Sequence, residues 1–149
     1  MEAIMAITQF RGNYFFLSNF YVYPFIFKGL TYQCAEAAFQ AQKDPSKSKM
    51  FTNLSGAEAR ALGKSKKIIL PEDWDERRLK VMKEVLLVKF SIPDLNIRLL
   101  TTGNEELVET NNWRDTFWGV YKGEGENHLG KLLMEIRYEL QHDSQYSNC

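Results

Sequence analysis

At 149 residues the chain is long enough to bury a real core and short enough for one domain. Its hydrophobic fraction of 44% and charged fraction of 26% are those of an ordinary globular protein. Lys plus Arg and Asp plus Glu each number 19, so no net field draws nucleic acid or an anionic membrane to it, and a nucleic-acid substrate would have to be held by a local site.

The first residues, Met1–Met5, carry neither a basic n-region nor a long apolar stretch, so no signal peptide is read. No apolar run approaches membrane-spanning length. Two cysteines, Cys34 and Cys149, make no disulfide framework and suit a reducing compartment. The expectation is a cytoplasmic protein with no membrane partner.

Aromatic residues crowd the N-terminal quarter, from Phe10 through Tyr14, Phe15 and Phe16 to Phe27. Tyr14–Leu17 reads as a short strand. Ser18-Asn19-Phe20 is a polar break in these surroundings, and Ser and Asn favour a turn by bonding their own backbone. Phe25–Phe27 and Leu30–Tyr32 flank Lys28-Gly29, the pattern of a tight hairpin with Gly at a positive φ.

The stretch Thr31–Lys43 is rich in alanine and interrupted by neither Gly nor Pro, which predicts a helix. Its small and apolar side chains imply burial on most sides. Yet Glu36, Gln40 and Lys43 stand at i, i+4 and i+7, on one narrow face. Such a stripe is either the solvated side of an amphipathic helix or the lining of a wet cavity, because burying it without partners is costly.

Asp44-Pro45-Ser46 ends that element and opens a short helix through Met50 and Phe51. Ser55-Gly56-Ala57-Glu58 is a capping box introducing a helix to about Lys64. Ser65-Lys66-Lys67 reads as a solvated basic patch. Pro71 to Asp75 suits a helix start, and Met82, Val85, Leu86 and Phe90 form the core stripe of a helix to about Phe90. Lys89, beside that stripe, either snorkels or points into a pocket. Pro93-Asp94 recaps a short helix ending at Gly103, and Leu107–Glu109 reads as a brief strand.

Asn111–Gly119 is a loop with Trp113, Trp118 and Asp115, the composition of a loop that carries function. Gly123, Gly125, Asn127 and Gly130 follow. They lack the strand-turn-helix setting of a dinucleotide fingerprint, but a Gly-rich run ending at a helix N-terminus can take a phosphate. Asn127 is expected to cap a last helix in which Leu129, Leu132, Leu133, Ile136 and Leu140 keep helical spacing. The polar tail 142–149 is expected to fray. The whole predicts an α+β, predominantly helical, single compact domain over 1–141, with a small N-terminal β-hairpin covering one end of the central helix.

Taken in order, these segments resemble the NADAR (YbiA-like) family. The resemblance is carried by Leu17-Ser18-Asn19-Phe20, Glu36 with Gln40-Ala41-Gln42-Lys43, Trp74-Asp75 leading to Met82, and Lys89-Phe90. It continues through Leu100–Gly103, Leu107–Glu109, Asp115 with Trp118-Gly119, and Asn127 to Arg137. It covers nearly the whole chain. It implies an N-glycosidase that cleaves a ribose C1′–N bond in early riboflavin-pathway intermediates (ribosylaminopyrimidine phosphates) and, in some members, removes ADP-ribose from guanine in nucleic acid. Two positions depart from the family pattern: Ala37 stands where His commonly follows the glutamate, and His128 where Arg commonly follows the asparagine.

The chemistry such a reaction needs assigns roles. Ribosyl transfer passes through an oxocarbenium-like cation, which calls for a carboxylate near C1′ and a route to activated water. Glu36 is the candidate carboxylate, with Lys43 to keep it ionised and Asp115 as the second acid. Asn19, Phe20, Gln40, Trp74, Lys89, Trp118, Gly119 and Asn127 are the candidate substrate-binding residues, with Trp74 and Trp118 offering flat faces for base or sugar. No metal and no redox cofactor are implied. Two rival readings share the sequence: a module that binds ADP-ribose or a related nucleotide without cleaving it, and an interaction domain whose polar stripe is simply solvated.

Overall fold

The computed structural model describes residues 5–143. Among them run strands β1 (Ala6–Ile7), β2 (Phe25–Phe27), β3 (Leu30–Tyr32) and β4 (Glu106–Leu107). The helices are α1 (Ala35–Ala41), α2 (Gly56–Gly63), α3 (Trp74–Lys89), α4 (Pro93–Thr101) and α5 (His128–His142), with 3₁₀ helices at Gly12–Leu17 and Pro45–Phe51. The class is the expected one, α+β and predominantly helical. The chain forms two compact units, Asn19–Ser91 and a second made of the described residues up to Ser18 together with those from Ile92.

In the Asn19–Ser91 unit the hairpin forms as expected, with Phe25 opposite Tyr32 and Phe27 opposite Leu30. Lys28 and Gly29 both take positive φ, 48° and 85°, the turn whose twist matches that of the strands. Phe25, Phe27 and Tyr32 are buried and Ile26 is exposed, the period-2 pattern of a half-buried sheet. The central helix is shorter than expected. It begins at Ala35 behind Cys34, because Thr31 and Tyr32 pair with Ile26 and Phe25 instead, and it ends at Ala41, so Lys43 lies in the turn past its C-cap Gln42. Strand pairing of β-branched and aromatic residues outranks the helical bias of the alanines that follow. All seven residues of α1 are buried, against α2, α3, β3 and the Pro45–Phe51 turn. The Ser55/Glu58 capping box is present and starts α2. Lys66 and Lys67 are exposed, as expected of a solvated patch. Helix α3 buries Val81, Met82, Val85, Leu86 and, at its C-cap, Phe90.

In the other unit β1 and β4 pair in parallel, Ala6 with Glu106 and Ile7 with Leu107. Two strand expectations are corrected here. The Tyr14–Leu17 segment is a 3₁₀ helix: Gly12 turns the chain at φ 57°, and the Tyr14 and Ser18 amides donate to the carbonyls three residues back, Arg11 and Phe15. The strand expected at Leu107–Glu109 is displaced to Glu106–Leu107, because the Glu109 amide leaves the ladder to bond the Asn127 side chain at 2.9 Å. Helix α5 packs on β4 and α4, burying Leu129, Leu132, Leu133 and Ile136. Buried Arg137 donates to Thr102 Oγ1 at 2.8 Å and to the Glu105 carbonyl at 2.7 Å, tying α5 to the end of α4. Helix α5 runs through His142, so that residue is helical rather than tail; positions 144–149 of the tail, Cys149 included, and Met1–Ile4 lie outside the described residues. No helix among those described is long and apolar enough to cross a membrane.

Candidate functional site

The polar stripe of α1 is not a solvated face. Glu36 and Gln40 are each only 5% exposed and Lys43 is half-buried. What meets them is a stripe of the same spacing on α2: Gly56, Arg60 and Gly63, again at i, i+4 and i+7. A side chain on Gly63 would collide with Gln40 Oε1, so the glycine is what lets the two helices close at that point. Arg60 reaches across to Glu36, Nη2 to Oε1, at 3.3 Å. A carboxylate removed from water needs such a partner. The Arg60 guanidinium also lies over the Phe20 ring at 5.0 Å, and that ring in turn sits on Gly56, 2.7 Å from where a Cβ would stand. Lys43 is held below the usual lysine pKa range, first by burial, against the pull of Glu36 and with the push of Lys64, Arg60 and Arg78. The buried carboxylate thus meets two cations, Arg60 and Lys43, and Lys43 in turn feels Lys64 and Arg78. Sequence reading missed Arg60. The signal was its glycine-flanked stripe in the helix after the capping box.

Asn19, like Phe20, belongs to the same place. The Asn19 carbonyl accepts the Glu36 backbone N–H at 2.9 Å and so secures the first turn of α1. The Asn19 amide nitrogen donates to Met82 Sδ at 3.5 Å. The side-chain oxygens of Asn19 and Gln40 are buried and have no hydrogen-bond partner among the described residues. Such acceptors carry the cost of desolvation until a donor arrives, and a ligand or a water supplies one.

Trp74 and Lys89 occupy different surroundings. The Trp74 ring packs against Phe39, centroids 5.3 Å apart, and is 4% exposed, so its flat face serves the core. Lys89 does not snorkel: it is 1% exposed, near the rings of Phe90 (5.0 Å) and Tyr21 (5.9 Å), and burial lowers its pKa from 10.5 to about 7, opposed by Cys34. The Cys34 thiol is pushed up by burial, which marks it as a packed rather than a reactive group.

The remaining candidates lie in the other unit and hold its loop together. Asp115 Oδ1 accepts the backbone N–H groups of Phe117 at 3.0 Å and Trp118 at 2.9 Å. Buried Asn111 accepts from the Trp113 and Asp115 amides and donates to the Asp115 carbonyl. Trp118 is half-buried, edge-on to Phe117 at 4.8 Å, and Phe117 packs on His128 at 4.5 Å. Gly119 is buried against Glu109, where a Cβ would have no room. Asn127 stands at the N-cap position of α5 as expected, but its side chain does not cap. At φ 52° it turns back, donating to the Leu107 carbonyl at 2.9 Å and accepting from Glu109. The first amides of α5 are already used: His128 and Leu129 donate to the carbonyls of Phe117 and Trp118. That end of α5 is thus closed by the loop and offers no open phosphate cradle. A cavity of about 280 Å³ in this unit, lined by residues such as Tyr14, Arg98 and Glu105, contains none of the predicted site residues. Among the described residues no three His, Cys, Asp or Glu side chains are grouped to hold a metal.

Fold and site define a small, mostly helical protein whose Asn19–Ser91 unit buries an acid between two helices, paired with an arginine. The chain belongs to the NADAR domain family, whose model matches residues 8–141. It is similar to the N-glycosidase YbiA of Escherichia coli, 34% identical over 145 residues that cover 93% of this chain and 89% of the relative. It is 44% identical over 86 residues to the N-glycosidase Npun_R5314 of Nostoc punctiforme and 34% identical over 152 residues to the riboflavin biosynthesis protein VVA0006 of Vibrio vulnificus. The chain spans 54% and 41% of the length of these two relatives. The NMR structure of E. coli YbiA matches with a TM-score of 0.82 at 31% identity, covering 97% of this chain and 90% of that one.

Proposed function

We propose that this chain is an N-glycosidase that hydrolyses a ribose C1′–N bond, with Glu36 as the carboxylate that faces the ribosyl cation. The observation that carries the reading is the buried Glu36 carboxylate, fixed on a packed helix by Arg60 at 3.3 Å, with half-buried Lys43 from the turn after that helix interacting electrostatically with it. A carboxylate held ionised in a low-dielectric setting stabilises developing positive charge more strongly than one in water. It is also placed on a rigid element, as chemistry at a single bond requires. The names of the relatives support N-glycosidic chemistry and a riboflavin-related substrate.

Within that reading the substrate class is a phosphorylated riboside, either a ribosylaminopyrimidine phosphate or ADP-ribosyl guanine. Phosphate groups suit Lys43, Lys64 and Arg78. Asn19 and Gln40 supply unoccupied acceptors for ribose hydroxyls or base N–H groups. Asp115, Trp118, Gly119 and Asn127 act by holding their loop, and Trp74 by packing α1 on α3. Ala37, in the place of the family's His, is completely buried in α1, so the general-acid step falls to another group or to water.

The deciding experiment incubates purified protein with each riboside and measures release of free base and of ribose phosphate. Release of base supports the assignment. Tight binding of both ribosides without release would instead make the chain a nucleotide reader.

A further inference from the structure

Arg60 is assigned no part by the family resemblance, yet three contacts and one peptide bond close a circuit through it. The Asn19 carbonyl holds the Glu36 backbone N–H at 2.9 Å; Glu36 Oε1 meets Arg60 Nη2 at 3.3 Å; the guanidinium lies 5.0 Å over Phe20; and Phe20 follows Asn19 in the chain. The circuit is braced from beneath. Phe20 rests on Gly56, where a Cβ would stand 2.7 Å from the ring, and Gly56 is the first residue of a helix fixed by its Ser55/Glu58 capping box. From Gly56 to Arg60 is one helical turn, so the capped end of α2 sets where the guanidinium can be. We infer that Arg60 is a positioning residue for Glu36, holding the carboxylate ionised and in one orientation. The inference rests on the N-glycosidase reading only for the chemistry that Glu36 then performs.

A lysine would not serve equally. The planar guanidinium can stack on the phenyl face and donate along its edge at the same time, whereas an ammonium is a point charge on a flexible stem. The other charged or titratable groups near Glu36 are Lys43, just past the C-cap of α1, and the Cys34 thiol at the N-cap of α1, while Lys64 at the C-cap of α2 and Arg78 on α3 act on Lys43. Their sum is strongly positive, and Arg60, whose side chain is 29% exposed, bonds the carboxylate directly. Its removal takes away a cation at contact distance from Glu36.

Two measurements test this. In protein labelled with ¹³C at glutamate side chains, NMR titration of the Glu36 carboxyl needs no turnover. Arg60→Gln should raise its pKa by about 1 pH unit or more, the size expected for losing a cation at contact distance. With the cleaved riboside as substrate, kcat should fall about tenfold or more, KM should change less, and the acid limb of the pH–rate profile should move up in step with the titration. Arg60→Lys should restore most of the titration while leaving kcat low. An unmoved Glu36 titration in folded Arg60→Gln protein would overturn the inference. Wild-type kcat and acid limb in Arg60→Lys would do the same, by reducing Arg60 to a bare charge, and this second arm serves if the glutamine variant does not fold. If the wild-type protein cleaves no riboside, the N-glycosidase reading fails, while the titration still decides whether Arg60 governs Glu36.

Discussion

At the scale of single residues, the site is a contest between burial and charge. Glu36→Gln keeps volume and most hydrogen bonding but removes the negative charge opposite the ribosyl cation. Turnover should fall by about a hundredfold or more, while ligand affinity changes much less, because the lost attraction is greatest in the transition state. Single-turnover cleavage measured beside direct binding checks this, and equal cleavage rates would remove Glu36 from the mechanism. Lys89 gives a second test. Its folded pKa of about 7 lies below the ordinary 10.5, so between those values the unfolded chain binds more protons. Stability from this group therefore rises as pH goes from about 7 to 10.5 and is at its worst below 7. Lys89→Met should stabilise the protein most at pH 6 and progressively less toward pH 10, read as the difference between variant and wild-type urea midpoints. A pH-independent difference would mean that Lys89 is not buried in its charged form. Asp115 makes a third. Asn can keep accepting from the Phe117 and Trp118 amides, so Asp115→Asn should preserve both fold and most activity if the residue only holds its loop. A loss as large as that of Glu36→Gln would place Asp115 in the chemistry.

At the scale of elements, glycines set how closely the pieces approach. Gly130 lies in the first turn of α5, and a Cβ there would overlap the Leu107 carbonyl and the Asn127 side chain. Alanine is the better helix former by about 1 kcal/mol, but overpacking against a backbone oxygen costs about 1–3 kcal/mol. Gly130→Ala should therefore lower stability in chemical denaturation despite its helix propensity, and a rise would show that α5 can shift off β4. The same reasoning explains what could be read beforehand. The capping box, the Lys28-Gly29 hairpin and the α3 and α5 stripes were legible because each is a local pattern with one physical solution. Tyr14–Leu17 was misread because aromatic residues favour strands, whereas here no partner strand pairs with them and Gly12 begins a tight turn. The start of α1 was misread because alanine content says nothing about Thr31 and Tyr32 pairing across the hairpin. At the site, Glu36 and Gln40 were legible from their spacing, but Arg60 was not, since its meaning depends on which helix faces α1. Asn127 was placed rightly at the N-cap, while its side-chain bonds to Leu107 and Glu109 depend on a strand 20 residues away.

At the scale of the whole molecule, the balance of 19 basic and 19 acidic residues bears on which substrate the protein meets. With a sequence pI of about 6.7 there is no global field to concentrate it on a polyanion. Recognition of a modified guanine in nucleic acid would have to come from the modification and from local cations, not from the flanking phosphates. Lys43, Arg60, Lys64 and Arg78 are those cations, and Glu36 offsets one of them. Binding of a short single-stranded DNA bearing one ADP-ribosyl guanine should then weaken with salt at a log–log slope no steeper than about −2, the limit for three net cations meeting single-strand phosphates. The unmodified strand should bind far more weakly at every salt concentration, and free ADP-ribosyl guanosine should be cleaved about as well as the strand. Fluorescence anisotropy across a salt series, with cleavage of nucleoside and strand compared at one salt, measures all three quantities. A slope near −6, or comparable binding of the unmodified strand, would show an extended phosphate-tracking surface and make nucleic acid, rather than a free riboside, the substrate the molecule is built to hold.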